Sequence, residues 1–342
     1  MRSRTIRNNS EPSANDAALM AEIAAFLKAA RRIMVASHVD PDGDALGTQL
    51  AFAAYARHLG KDVFLVRDGD IPEKYRFLPD IADIRHVSEF ADDFRVDTAL
   101  VLECPDIARV GLASRYLTDG VKIINIDHHY DNSSFGALNW LNTSASSVGE
   151  MAFEYFAAAG YEIDAGVAEQ LYTAIMTDTG RFRFASTSPR TMRIVADLIA
   201  AGAEPQKICD NVYYNLRPAV IKLIGKVLND IEFHHNGTIC ELTLTRDMLT
   251  SSGARASDSD GLIDFTLFSA DVEAGVLFKE LDAERTKVSF RSKDGINVAE
   301  LAARFGGGGH FNASGCSVPW SLERARSEII GLLKEAIDDQ TR

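Results

Sequence analysis

Cysteine is scarce and scattered: Cys104, Cys209, Cys240 and Cys316 are the only four, and they form no C-x-x-C pair. That excludes a small disulfide scaffold and leaves reduced, buried thiols as the expectation. No apolar run approaches the roughly 20 residues that cross a bilayer. The polar opening MRSRTIRNNSEPSAND also has no apolar core like that of a secretory signal. No membrane partner is expected, and the cytoplasm is the expected location. Basic charge is short as well: 36 Lys and Arg face 49 Asp and Glu, a net charge of −13. Such a balance repels a long polyanion such as duplex DNA unless a local basic patch overrides it. A short or small phosphorylated substrate, held by metal and a few arginines, suits it better. Internal repeats and low-complexity stretches are missing too.

What is there is a 342-residue chain, 46% apolar and 25% charged, long enough for two ordinary domains with separate cores. Positions 1 to about 14 lack periodicity and read as a frayed tail. From Asp16, DAALMAEIAAFLKAA is helical by its stripe of Leu19, Ile23, Phe26 and Leu27. RRIMVAS reads as a buried strand, Ala45 to Leu59 as a helix stopped by Gly60, and KDVFLV as a strand. TALVLE (98–103) and VKIINID (121–127) are again short, apolar and rich in β-branched residues, as strands buried on both faces are. This alternation predicts an α/β fold with a mostly parallel sheet, and a ligand site beyond the carboxyl ends of its strands. His38, Glu103 and Asp127 each follow or close such a run, so three strands deliver polar side chains to one edge.

Further along, Ser147 and Glu150 form a capping box opening a helix, and the helix AGVAEQLYTAIM leads into TDTGRFRF. Residues 15–187 are thus assigned to a first domain. The segment 188–226 is mainly helical, contains Pro189, Pro205 and Pro218, and reads as a connector. Residues 227–338 read as a smaller α+β domain: a hairpin at Asn236-Gly237, strands in EAGVLFKEL and KVSFRS, and a helix capped by Asn297 with Glu300 three residues on.

The chemistry concentrates in SHVDPDGDALG, where His38, Asp42 and Asp44 are spaced so that a turn eased by Pro41 and Gly43 can aim all three at one point. Oxygen donors suit divalent ions that work on phosphate esters, and manganese also accepts imidazole. The plain alternative is a helix-capping aspartate with solvated neighbours. NIDHHY weighs against it, because two adjacent histidines past a buried strand cannot both turn inward if the strand continues. One imidazole can meet a metal and the other a substrate, with Asp127 orienting a ring nitrogen. Asp178 alone is an ordinary turn residue. Arg181 and Arg183 fit a substrate contact or an ion pair equally well, and Phe182 and Phe184 read as core. His58, His86, His234 and His235 read as surface or hairpin residues.

HVDPDGDALG, LECPD, IDHH and MTDTGRF occur in the order and approximate spacing of the four motifs of the DHH phosphoesterase family, and FRSKDGINVAELAARFGGGGHFNASG resembles its associated DHHA1 domain. The resemblance spans about 30 to 316 and is nearest to the small two-domain oligoribonucleases that degrade very short RNA and dephosphorylate 3′-phosphoadenosine 5′-phosphate (pAp). It implies two Mn2+ ions, with Mg2+ or Co2+ as substitutes: His38 and Asp42 on the first, Asp44, His128 and Asp178 on the second. The family's bridging aspartate is replaced here by Glu103, with Asp106 a weaker stand-in, and by residue chemistry alone Glu103→Asp is expected to keep or raise activity. His129 resembles the substrate-facing histidine. Two ions about 3.5–4 Å apart would activate a shared water and clamp the phosphoryl oxygens. Asp127 and His129 would then act as the catalytic side chains.

The second domain is expected to hold the remainder of the substrate. Alternation in KVSFRS leaves Arg291 free for a phosphate, with Arg285 a weaker candidate. The glycines Gly307, Gly308 and Gly309 let backbone N–H groups approach an anion, and His310 can add a donor or stack. The expected function is a manganese phosphohydrolase of short RNA and pAp. Hydrolysis of cyclic or linear dinucleotides, or a nucleotide-binding regulator impaired by Glu103, are the alternatives, and a homodimer is left open.

Overall fold

The computed structural model describes residues 14–259, 261–293 and 295–340; positions 1–13, read above as a tail, lie outside the described residues. The chain divides between Asn215 and Leu216 into two compact units. The first contains α1 (Ala14–Ala29), β1 (Arg32–Ala36), α2 (Gly43–His58), β2 (Asp62–Arg67), β3 (Ile84–His86), β4 (Thr98–Leu102), β5 (Lys122–Asp127) and β6 (Leu138–Leu141). It continues with α3 (Val148–Ala158), α4 (Ala165–Asp178), α5 (Pro189–Ala200) and α6 (Pro205–Tyr213). Its six strands stand in the order β3-β2-β1-β4-β5-β6, and every neighbouring pair is parallel.

The continuous apolar runs have the cause anticipated for them. Ile33, Val35, Leu100 and Leu102 enter the core shared with the helices, while Met34, Ala36, Ala99 and Val101 enter a second core with Val87, Phe90 and Tyr116. Both sheet faces are covered, so alternate positions are equally apolar. The strand order reverses direction between β1 and β4. There the following connections diverge to opposite sides, which opens a crevice at the carboxyl ends of those two strands.

The helical layer is unusually close where α2 passes α4. A Cβ on Gly43 would stand 2.4 Å from Thr177 Oγ1, and one on Gly47 would stand 2.3 Å from the Gln170 carbonyl oxygen. The two glycines, one turn apart, form the groove into which α4 settles. Ser147 caps α3 by accepting from the Glu150 N–H at 3.1 Å, but the expected box is only half made. The Glu150 carboxylate instead accepts from Ser146 Oγ and Thr191 Oγ1 at 2.6 and 2.7 Å, which ties α3 to α5.

The second unit contains α7 (Pro218–Asn229), β7 (Glu232–His234), β8 (Ile239–Leu244), α8 (Arg246–Ser252), β9 (Ala274–Glu280), β10 (Thr286–Ser292), α9 (Val298–Ala303), β11 (Gly308–His310), β12 (Ala313–Val318) and α10 (Leu322–Gln340). Its sheet order is β11-β12-β10-β9-β8-β7, parallel only at β8 and β9. The hairpin forms where Asn236-Gly237 announces it, with Asn236 at φ 56°. The glycine run is more ordered than an open loop: Gly308 and Gly309 belong to the edge strand β11, and a Cβ on Gly307 would meet the Gly315 carbonyl oxygen at 2.2 Å. No helix among the described residues is long and apolar enough to cross a membrane.

The close α2–α4 passage yields the first test. Gly47→Ala has no flexible neighbour to displace, only a helix backbone, so it is expected to lower stability by about 1–3 kcal/mol, the range for overpacking. A urea-unfolding midpoint equal to that of the unmodified protein would show that the passage is looser than described.

Candidate metal centre

The crevice between β1 and β4 is lined by polar side chains carried by five elements, β1, α2, β4, β5 and α4. Past β1, the buried His38 places Nε2 2.7 Å from Glu103 Oε2. Asp42 is the N-cap of α2, its Oδ1 accepting from the Ala45 N–H at 3.0 Å. The capping role weighed for it at the outset is therefore real, and it leaves the second carboxylate oxygen for other work. Asp44 sits in the first turn of α2 and is fully buried. It accepts from the Val148 and Gly149 N–H groups at 2.7 and 2.8 Å. Those are the opening amides of α3, whose orphan donors and dipole stabilise a carboxylate.

Glu103 follows β4 and turns into the left-handed region at φ 53°. That conformation is disfavoured for a side chain of this size by about 1–2 kcal/mol. It carries the carboxylate into the midst of three imidazoles: besides His38, Oε1 lies 3.7 Å from His128 Nε2 and 3.5 Å from His129 Nδ1. Asp106, the weaker stand-in, is exposed and caps the next turn through Ala108. Past β5, His129 Nδ1 donates to Asp127 Oδ1 at 2.7 Å. The same oxygen accepts from the His128 N–H at 2.8 Å. His128 lies 3.5 Å from Asp178 Oδ2. Asp178 is the last residue of α4 rather than a turn residue beyond it, and the Gly43–Gly47 groove is what lets that helix end reach Asp44.

These side chains fall into three overlapping groups whose donor atoms lie within 4.8 Å of one another: His38, Asp42 and Glu103; Asp44, His128 and Asp178; and Glu103, His128 and His129. All six sequence-selected ligand candidates are brought together, with Asp127 and His129 at the margin. The charge state is uneven. Burial, then Asp178 and Glu103, push the Asp44 carboxyl well above its ordinary value. Burial and the carboxylates of Asp42 and Glu103 push Asp178 up to about 7, against the pull of His128. Glu103 behaves oppositely: burial opposes its ionisation, but His38, His128 and His129 outweigh it and hold the carboxyl well below its usual value. Burial likewise opposes protonation of the three histidines, yet all three are raised: His38 by Glu103 and Asp42, His128 by Glu103, Asp178 and Asp44, and His129 by Asp127 and Glu103.

The second unit holds the other sequence-selected residues. Arg291 is not free as expected: Nε donates to Asp264 Oδ1 at 3.1 Å and Nη1 to the Phe290 carbonyl at 3.0 Å. Arg285 pairs with Asp282 at 2.6 Å. The backbone of His310 ends β11, and its side chain lies outside the described residues. A further carboxylate–imidazole group, Glu232, His234 and Glu241, is closed by Arg326, which pairs with both glutamates. In the first unit, Phe182 packs on Tyr172, but Phe184 is 43% exposed, contrary to its reading as core. Arg181 and Arg183 stack on the rings of Tyr213 and Phe184 at 4.7 and 5.3 Å.

Sequence reasoning missed Asn132. Its Nδ2 donates to Asp127 Oδ2 at 2.6 Å and to Asn125 Oδ1 at 2.9 Å, so Asp127 is held from behind while it holds His129. An amide three residues past a histidine pair was the only available signal.

Folding makes Asp44, Asp178, His38, His128 and His129 better proton acceptors than they are in the unfolded chain. The Asp178 contribution is full only below its unfolded value near 3.8 and is lost progressively as pH rises from there through about 7. Those of the histidines are present below the unfolded value near 6.5 and lost as pH rises through their raised ones. Glu103, lowered, loses its contribution only in acid. In EDTA, the Tm is therefore expected to fall from pH 6 to pH 8, about 2–4 °C per kcal/mol lost in a domain of this size. Asp178→Asn is expected to flatten that slope. A Tm that rises over the interval would contradict the crowding of these carboxylates.

Comparison with known proteins matches residues 32–175 to the DHH family, N-terminal domain, and residues 240–338 to the DHHA1 domain. The bifunctional oligoribonuclease and PAP phosphatase NrnA of Thermus thermophilus is 31% identical over 92% of this chain and 93% of its own. The protein of the same name from Bacillus subtilis is 30% identical over 89% and 95%. A crystal structure of an exopolyphosphatase-related protein from Bacteroides fragilis superposes with a TM-score of 0.86 at 27% identity, covering 94% of this chain and 96% of that one. With its motifs converging on one crevice and both family models matched in order, the chain belongs to the DHH family of phosphoesterases and carries a DHHA1 domain.

Proposed function

We propose that this chain is a hydrolase of short RNA oligonucleotides and of pAp, working with two divalent cations of which manganese is the first choice. The observation that carries the reading is the pair of donor triads, His38–Asp42–Glu103 and Asp44–His128–Asp178, joined where Glu103 approaches His128 at 3.7 Å. Four carboxylates and three imidazoles in one buried crevice fit ions that accept both oxygen and nitrogen donors. The raised Asp44 and Asp178 carboxyls show that the protein's own cations do not neutralise this set. Bound there, the ions would supply Lewis acidity to a phosphoryl group and lower the pKa of a water. The relatives' names, oligoribonuclease and PAP phosphatase, supply the substrate classes.

The chain's own groups do the remainder. Asp127, braced by Asn132, fixes the His129 ring through Nδ1, and Asp127 and Glu103 raise its proton affinity against the cost of burial. A positioned imidazolium donates its proton to the departing oxygen. The opening amides of α3 hold Asp44 in place without occupying all its lone pairs. In the second unit, the edge strand β11 leaves one row of backbone donors outside the ladder. Gly307, Gly308 and Gly309 keep that edge bare, and the residue class at His310 suits a phosphate or a base. The Asp264 pair orients Arg291 rather than freeing it, and a substrate phosphate would compete for that guanidinium.

The test is turnover of an RNA dimer to pentamer series, pAp and cyclic di-AMP, each with manganese and then with EDTA. Mononucleotide and phosphate release that stops in EDTA and falls by about 100-fold or more in His128→Ala, the scale for loss of a metal-site residue, is the expected result. Preferential turnover of cyclic di-AMP would replace the substrate class, and binding without turnover would make the chain a regulator. The geometry also reverses one expectation. Glu103 reaches three imidazoles on its longer stem, so Glu103→Asp is expected to lower kcat by up to about 100-fold, the scale of a misplacement near 1 Å. Unchanged or higher activity would show that the strand end yields to the shorter side chain.

A further inference from the structure

One cation at this crevice belongs to none of the four motifs. Arg109 lies in the turn Ile107–Tyr116 that follows Glu103. Its carbonyl accepts the Val39 N–H at 2.9 Å and its own N–H donates to the Asp106 carbonyl at 3.0 Å. The first of these bonds pins its backbone against the residue after His38. The side chain is exposed, and among the described residues it pairs with no carboxylate, in a chain that has 49 of them. Arg181 and Arg183, by contrast, are seated on aromatic rings. The Arg109 charge is nevertheless felt inside the crevice, opposing protonation of His38 and favouring the thiolate of Cys104.

We propose that Arg109 grips a non-reacting phosphate of the substrate on the His38 side of the metal centre, such as the 5′-phosphate of pAp. The proposal rests on the hydrolase reading above and extends it to substrate choice. A guanidinium inside the crevice would compete with the cations for the same carboxylates; one at its rim does not. The crevice repels a second anionic group on the substrate, and a fixed cation at the edge reverses that field locally. Arginine's planar fork matches a terminal phosphate through two parallel hydrogen bonds. An exposed arginine that has found no carboxylate partner keeps those donors for a ligand.

The test compares pAp with adenosine 3′-phosphate, which lacks only the 5′-phosphate, in the full-length protein and in Arg109→Ala and Arg109→Lys. Arg109→Ala is expected to lower the preference for pAp by about tenfold or more, the scale of a charged hydrogen bond. The loss falls on KM for pAp, while kcat and the constants for adenosine 3′-phosphate stay within about twofold. Arg109→Lys restores part of it. Calorimetric binding of AMP against adenosine should show the same loss without turnover. An unchanged preference, or an equal loss on both substrates, would overturn the proposal. Should the unmodified protein hydrolyse neither compound, the hydrolase reading fails, and the AMP–adenosine binding comparison still decides the role of Arg109.

Discussion

The structure is organised by the difficulty of keeping Asp44 and Glu103 out of water beside the half-buried Asp178. Burying an ionised carboxylate costs several kcal/mol unless it is paired and hydrogen-bonded, and here three share one crevice. Each is relieved by a different device. Asp44 takes two amides from the start of α3, Glu103 takes three imidazoles, and Asp178 takes His128. The relief is incomplete, because Asp44 and Asp178 still hold protons more strongly than free aspartates do. What remains is a set of donor groups whose charge is only partly balanced by the protein's own side chains, as the proposed function requires. The arrangement costs part of the folding stability, and a ligand that binds only the folded site would offset that cost by mass action.

Seen this way, features that look unrelated serve one end. The reversal of strand order between β1 and β4 provides the crevice, since divergent connections leave backbone ends uncovered there. The glycines of α2 let α4 lie close enough for a carboxylate at its last residue to meet one in the first turn of α2. The Ser146–Glu150–Thr191 bonds then hold α3 so that its first amides face Asp44. Loss of any of these would move a donor by an ångström or so, which matters little to a core and much to a coordination shell.

Much of this was legible because parallel strands buried on both faces are apolar throughout, and a polar residue at the end of such a run stands out. His38, Glu103 and Asp127 were visible for that reason, the spacing of Asp42 and Asp44 and the His128–His129 pair were legible beside them, and the motif resemblance singled out Asp178. The features that escaped depend on long-range approach. Nothing local to Val148 or Gly149 announces that their amides meet a carboxylate more than 100 residues away. Alternation put Arg291 on the correct face of β10 but could not show Asp264 waiting for it. Four consecutive glycines look flexible, whereas here their bareness lets β11 lie against β12. Arg109 was hidden for the opposite reason: an exposed arginine in a polar turn has no signature, and only its tether to Val39 gives it an address.

Glu103 shows how backbone and side chain can be matched to bring a carboxylate among three imidazoles. A longer stem would overshoot if the backbone stayed extended. The left-handed turn at φ 53° redirects it, at a cost of about 1–2 kcal/mol for a non-glycine residue in that region. That strain persists because the neighbours over-determine the residue: its N–H is held by the Ile126 carbonyl at 3.0 Å and its carboxylate is surrounded by imidazoles. Backbone and side chain are therefore adapted to each other, and the position is better understood as a joint of fixed reach than as a carboxylate of either length. The same logic makes Asn132 part of the site although it is in none of the donor groups: it holds Asp127, and Asp127 holds the His129 ring.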